Sequence, residues 1–119
     1  MEESEIQEAV YTFVRQVPPG KVVTYGQVAD SIAAVSLTPR QVGAIMRYAP
    51  EDVPWQRVIG AGGYLPIVKR SPELKLRQQE LLEREGVIFL SRETGRVDMQ
   101  QSQWLAQGVR TQGSLFDTE

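Results

Sequence analysis

Between Pro54 and Val58 the chain reads Trp55-Gln56-Arg57, and neither cysteine nor histidine occurs anywhere among its 119 residues. Those two absences decide what chemistry is open. Thiolate and imidazole are the usual nucleophile and general base near neutral pH. An indole carbon framework does not replace the first, and a glutamine amide does not replace the second. No credible nucleophile-and-base pair is found, which leaves a residual enzyme as the weakest reading; no disulfide is available, and the usual zinc ligands are missing. Carboxylates alone could still hold calcium or magnesium. We therefore expect no enzymatic activity, no cofactor and no metal. The chemistry left is recognition: guanidinium groups that stack and pair with anions, and aromatic rings that stack and pack.

Arg40 and Arg47 lie seven residues apart, so on a helix they point the same way, with Gly43 and Ala44 between them. Two cations flanking small residues let a helix backbone approach a phosphate-lined groove. Packing of Gly43 against a neighbouring helix is the alternative use of the same glycine. Arg40 would sit in the first helical turn, where a cation opposes the helix dipole. A residue kept against that cost is better explained by an anionic partner than by solvation.

The elements that position these residues can be read from periodicity and caps. A helix is predicted over 4–16, capped by Ser4, with Ile6, Val10, Phe13, Val14 and Val17 on one face, and Pro18-Pro19-Gly20 ends it. A second helix runs from about Tyr25 to Ala34. Thr38 caps a third, with Pro39 at its first position and Val42, Ile45 and Met46 inward. Short strands are expected over 57–59 and 64–68, joined as a wing by Gly60-Ala61-Gly62-Gly63. A fourth helix opens at Ser71 or Pro72, runs to about Arg84 and stops at Gly86. Residues 87–90 and 96–99 form a small hairpin across Glu93-Thr94-Gly95. This length suits one modest core, with residues 1–99 as the domain and 100–119 as a flexible C-terminal extension.

The formal net charge is −2. That disfavours non-specific attachment to nucleic acid, but the basic residues Arg40, Arg47, Arg57, Lys69 and Arg70 gather in the central segments while the acids cluster elsewhere. A local basic face with salt-sensitive binding is expected. No apolar run approaches a membrane span, and the acidic start Met1-Glu2-Glu3 is unlike a signal peptide, so a cytoplasmic protein that binds no membrane is expected.

Four segments in order carry a family resemblance. Lys21 to Ala29 resembles the entry to the first helix of the helix-turn-helix in the O6-alkylguanine-DNA alkyltransferase superfamily. Pro39 to Arg47 resembles its recognition helix, and Pro54-Trp55-Gln56-Arg57-Val58 resembles its Pro-Cys-His-Arg-Val active site. Glu85-Gly86 resembles the Glu-Gly after its last main helix. With Trp55 at the cysteine position, the chain is most similar to the alkyltransferase-like branch, which binds alkylated DNA without repairing it. The resemblance implies a mostly α domain with short β pieces, a winged-helix-like helix-turn-helix of the alkyltransferase C-terminal type. Ala49-Pro50 departs from the family's Asn-Pro, and Gln56 departs from its histidine.

The same resemblance assigns roles. Thr24, Tyr25, Arg40, Gly43 and Arg47 would contact DNA. Tyr25 would push on the phosphate beside the target, and Arg40 would fill the gap left by the flipped nucleotide. Trp55, Gln56, Arg57, Val58, Tyr64, Lys69 and Arg70 would form the lesion pocket. Trp55 is its floor, with core packing as the alternative; Arg57 ties loops together. Lys69 and Arg70 are alternatives for a basic residue reaching the lesion, with Arg70 preferred. Tyr64 either covers the pocket or packs across strands. Glu85 would have no relay to complete. The implied partners are duplex DNA carrying O6-alkylguanine and an excision-repair damage-recognition protein, met by a monomer. Gln112, Leu115 and Phe116 fit a Gln-x-x-Leu-Phe peptide resembling those that dock on a sliding clamp. A winged-helix regulator of undamaged DNA is the competing reading.

Overall fold

Three helices and two reciprocal caps build the half of the molecule that faces the candidate site. A computed structural model describes residues 2–105. Helix α1 spans Glu3–Arg15, α2 Tyr25–Ser31 and α3 Pro39–Met46. Thr24 Oγ1 accepts from the Gln27 N–H at 3.0 Å while Gln27 Oε1 accepts from the Thr24 N–H at 2.9 Å. Thr38 and Gln41 repeat that reciprocal pair at α3, with Pro39 at its first position. These boxes satisfy orphan amides at both helix starts and fix where α2 and α3 begin. Val10, Val14, Val28, Val42 and Met46 are buried between the three helices.

Two expected helix boundaries shift. Helix α1 is capped at Glu2, whose N–H donates to Glu5 Oε1 at 2.9 Å, rather than at Ser4. Acidic groups at a helix start are favoured by the exposed amides there. Helix α2 ends at Ser31, not Ala34. Ile32 leaves the helical conformation and buries its side chain instead.

The second core holds Val22, Ile59, Leu65, Leu82, Val87 and Val97. It lies among β1 (Val23–Thr24), β2 (Val58–Ile59), helix α4 (Pro72–Arg84) and the antiparallel pair β3 (Phe89–Ser91) and β4 (Arg96–Val97). β1 and β2 run parallel, with Val23 opposite Val58 and Thr24 opposite Ile59. This pairing joins the strand entering α2 to the strand leaving the Trp55 turn.

The first expected wing strand forms at Val58–Ile59, but the second does not, and no wing hairpin results. Trp55–Arg57 is a short 3-10 turn, β2 pairs with β1, and Pro66–Lys69 is another 3-10 turn. In the place of the predicted hairpin, the Gly60 N–H donates to Tyr64 O at 2.8 Å and the Gly63 N–H to Gly60 O at 3.1 Å, a tight turn without a ladder. Pro66 lacks an N–H for a ladder and packs on Gly60. Gly63 has φ +94° and lies so close to Val97 that any Cβ would collide with its carbonyl oxygen.

The chain stays folded past residue 99. Helix α5 covers Met99–Ser102, and Val22 pairs with Gln103 as a parallel bridge. The Trp104 N–H donates to Val22 O at 2.7 Å, and its ring lies 5.9 Å from that of Phe13. No helix among the described residues is long and apolar enough to cross a membrane.

Candidate functional site

A cavity of about 880 Å³ opens between α3, the Trp55 turn, the 66–70 segment and α4. One wall is α3, which presents Arg40, Gly43, Ala44 and Arg47. The opposite wall is Pro66, Ile67, Lys69, Arg70, Leu74 and Arg77. Trp55 is half-buried between them, and Tyr25 closes one end from the start of α2. The structure thus brings together Tyr25, Arg40, Gly43, Arg47, Trp55, Lys69 and Arg70. Thr24 instead uses its side chain to cap α2.

Gly43 is not forced by packing within the protein. A Cβ there would find Tyr25 Cε1 at 4.0 Å, an ordinary contact, so the missing side chain leaves room in the cavity rather than relieving a clash. Burial pushes the Tyr25 hydroxyl above the usual phenol range, while the nearby Arg70 guanidinium pulls it the other way. It is therefore a neutral donor near pH 7.

The charges around the cavity are segregated. Arg15, Lys21, Arg57, Lys75, Arg92 and Arg96 each spend a donor on a carboxylate or carbonyl of the protein. Among the described residues, the cations with no such partner are Arg40, Arg47, Lys69, Arg70, Arg77 and Arg84, and all but Arg84 line the cavity. No aspartate or glutamate among the described residues lines it. Unneutralised cations converging on a concave, partly apolar surface create a local positive potential despite the negative net charge.

Gln56, Arg57 and Val58 turn away from this cavity, contrary to the expected pocket set. Gln56 Nε2 donates to Glu85 Oε2 at 2.7 Å. Arg57 donates through Nε to Glu85 Oε1 at 3.0 Å, through Nη2 to Oε2 at 2.9 Å and through Nη1 to Val17 O at 2.8 Å. The Arg57 and Glu85 side chains are only 15% and 16% exposed. A half-buried carboxylate that accepts from both Gln56 and Arg57 holds them inward, and Trp55 is left facing the cavity. Val58 is buried in the pairing with β1. Gln78 secures the same turn from α4, its Nε2 donating to the carbonyls of Gln56 at 3.0 Å and Val58 at 3.2 Å.

Tyr64 also lies outside the cavity lining. It is 55% exposed, with the Arg96 guanidinium 4.7 Å from its ring centre. Arg96 Nε also donates to Gly62 O at 2.9 Å, so β4 clamps the loop that leads into the 66–70 wall. Gln112, Leu115 and Phe116 lie outside the described residues. Sequence reasoning missed Leu74 and Arg77 as cavity residues. Their three-residue spacing on α4 was the available signal.

Comparison with known proteins agrees with this geometry. Residues 5–87 match the family model described as 6-O-methylguanine DNA methyltransferase, DNA binding domain. The chain is 34% identical over 104 residues to the DNA base-flipping protein of Escherichia coli strain K12, covering 86% of this chain and 76% of that protein. It is 42% identical over 90 residues to alkyltransferase-like protein 1 of Schizosaccharomyces pombe, covering 73% and 81% respectively. The fold is similar to the crystal structure of S. pombe Atl1 in complex with damaged DNA containing O6-carboxymethylguanine. The TM-score is 0.75 at 32% identity, over 87% of this chain and 98% of that one.

Proposed function

This chain belongs to the 6-O-methylguanine DNA methyltransferase family through its DNA-binding domain, and on that premise we propose that it recognises O6-alkylguanine in duplex DNA without repairing it. The observation that carries the reading is the cavity itself: a half-buried indole between walls of cations that have no partner, and no acid beside them, among the described residues. DNA approaches α3 from the minor groove. Arg47 takes phosphate, and Arg40 enters the stack as the target nucleotide leaves it. A guanidinium is flat enough to stack and can hydrogen-bond the orphaned base, which offsets part of the few kcal/mol of unstacking. The Tyr25 hydroxyl, neutral and at the cavity's end, donates to the phosphate beside the flipped nucleotide. The displaced base then meets Trp55, whose ring gives apolar contact to its face and its alkyl group.

No transfer follows, because the chain has no cysteine to take the alkyl group and no histidine to activate one. Glu85, which would serve a relay in an active relative, is fully engaged by Gln56 and Arg57. The product of binding is a persistent protein–lesion complex in the cytoplasm. In our reading, an excision-repair damage-recognition protein finds that complex, and Gln112, Leu115 and Phe116 offer a second attachment to a sliding clamp.

The test is a pair of identical duplexes carrying guanine or O6-methylguanine at one site, with the adduct assayed after binding. Tighter binding to the lesion and an intact adduct support the reading. Equal affinity would move the chain to the class of regulators that read undamaged DNA.

A further inference from the structure

The function proposed above uses the α3 wall, Trp55 and Tyr25, but leaves the cations of the opposite wall, Lys69, Arg70 and Arg77, without a task. Arg77 lies on α4, on the wall opposite α3. Its neighbour fixes its place. Gln78 is only 2% exposed and grips the carbonyls of Gln56 and Val58, so α4 is docked directly on the turn that presents Trp55. Leu74, one turn earlier on the same face, also lines the cavity. Arg77 therefore stands where α4 meets the pocket, across from the helix that approaches the DNA backbone.

Among the described residues, neither the Arg77 nor the Arg70 side chain has a hydrogen-bond or ion-pair partner, and no carboxylate lines the cavity. The influence of Arg70 already reaches the Tyr25 hydroxyl across the same space. Two exposed, unneutralised guanidiniums beside an indole and an isoleucine make a positive end to the concave pocket, where their fields add at a bound anion. A guanidinium also matches a carboxylate in a two-point hydrogen-bonded fork.

We propose that Arg77, together with Arg70, reads the charge of the adduct: the pocket prefers an O6-alkylguanine whose substituent ends in a carboxylate over a neutral substituent of the same size and shape. This rests on the reading that the cavity receives a flipped lesion. The backbone phosphates are left to α3 and Tyr25, and the α4 wall faces the substituent.

The full chain should be titrated, at one salt concentration, with three duplexes of one sequence carrying guanine, O6-carboxymethylguanine or the neutral isostere O6-carbamoylmethylguanine. The wild type is expected to bind the carboxylate adduct about fivefold more tightly than the amide, the effect of one partly exposed ion pair. Arg77→Gln should bring that ratio close to one, and Arg77→Lys should keep part of it. Both adducts binding equally well, and more tightly than guanine, would overturn the charge preference while leaving lesion recognition standing. Neither adduct binding more tightly than guanine would instead remove the lesion reading itself. An Arg77→Gln protein that loses the same factor on all three duplexes, with the ratio intact, would place Arg77 on a backbone phosphate and overturn the proposal.

Discussion

The Trp55 turn belongs to two regions of opposite character. Above it, the cavity is lined by Arg40, Arg47, Lys69, Arg70 and Arg77, whose side chains have no partner among the described residues. Below it, Gln56, Arg57 and Glu85 form a closed knot in which a half-buried carboxylate takes three donors from two side chains. Adjacent residues in one 3-10 turn thus serve different ends. Trp55 is presented to a ligand, and Gln56 and Arg57 keep the turn from moving. The comparison teaches that one short turn can present a side chain to a cavity while the residues next to it anchor it. Glu85 is saturated by neighbours that hold the pocket floor in place.

The sharpest way to break this comparison is through Glu85. Glu85→Ala leaves Arg57 half-buried without its counter-charge and Gln56 without its acceptor. We expect a loss of about 3 kcal/mol in unfolding free energy by urea titration, at the low end for a broken buried pair because some solvent reaches it. Unchanged stability would show that the knot supports nothing. Arg40→Ala should behave in the opposite manner. Lesion affinity should fall by at least about tenfold, roughly the 1.4 kcal/mol expected when stacking and hydrogen bonding to the gap are lost. Stability should stay level or rise by a few tenths of a kcal/mol, since a cation leaves the first turn of α3. A matched fall in both stability and affinity would erase the distinction between the two regions.

Arg96→Ala tests the link between them. It removes the ring contact to Tyr64 and the hydrogen bond to Gly62, so the 60–64 loop loosens and the 66–70 wall with it. We expect about 1 kcal/mol less stability and a smaller ratio of lesion to undamaged binding. Arg96→Lys, which keeps the cation over the ring, should recover part of both. A stability loss with an unchanged ratio would confine Arg96 to holding the fold.

The smallest effect is a pH dependence. Burial raises the phenols of Tyr25 and Tyr11 above their ordinary value of 10. In Tyr11, whose hydroxyl donates to Ile45 O at 2.7 Å, the nearby Glu8 charge adds to the effect. The unfolded chain then gives up these protons first. Their contribution to stability is fully present below pH 10 and is lost as pH rises through the folded-state values. Denaturant titrations from pH 8 upward should show stability falling beyond pH 10, with a shallower fall in Tyr25→Phe. An identical slope in that variant would contradict the assignment to Tyr25.

Much of the cavity was legible in the sequence because its carriers are local. Thr38-Pro39 and the seven-residue spacing of Arg40 and Arg47 define α3 without reference to anything distant. The Thr24–Gln27 cap likewise fixes where Tyr25 begins α2. The errors came from partners far along the chain. The wing looked like two strands around a glycine turn, but Gly63 is pressed against Val97 and β2 pairs with β1. Gln56 read as a pocket residue because nothing nearby reveals Glu85, 29 residues on, as its acceptor, whereas Arg57 does tie loops together as expected. The Val22–Gln103 bridge spans most of the chain, so residues 100–104 read as a tail. Arg77 was one cation on a polar helix until Gln78 fixed which face of α4 meets Trp55.

The central claim is that this cavity holds an alkylated guanine and leaves it unaltered. The most direct measurement is equilibrium binding of the wild type and Trp55→Ala to duplexes carrying guanine or O6-methylguanine, followed by mass spectrometry of both protein and DNA. The account predicts a clear preference of the wild type for the lesion, about tenfold or more, a much reduced preference in Trp55→Ala, and unchanged masses of protein and adduct. Equal binding of the wild type to both duplexes, or a methyl group moved from the DNA, would contradict it.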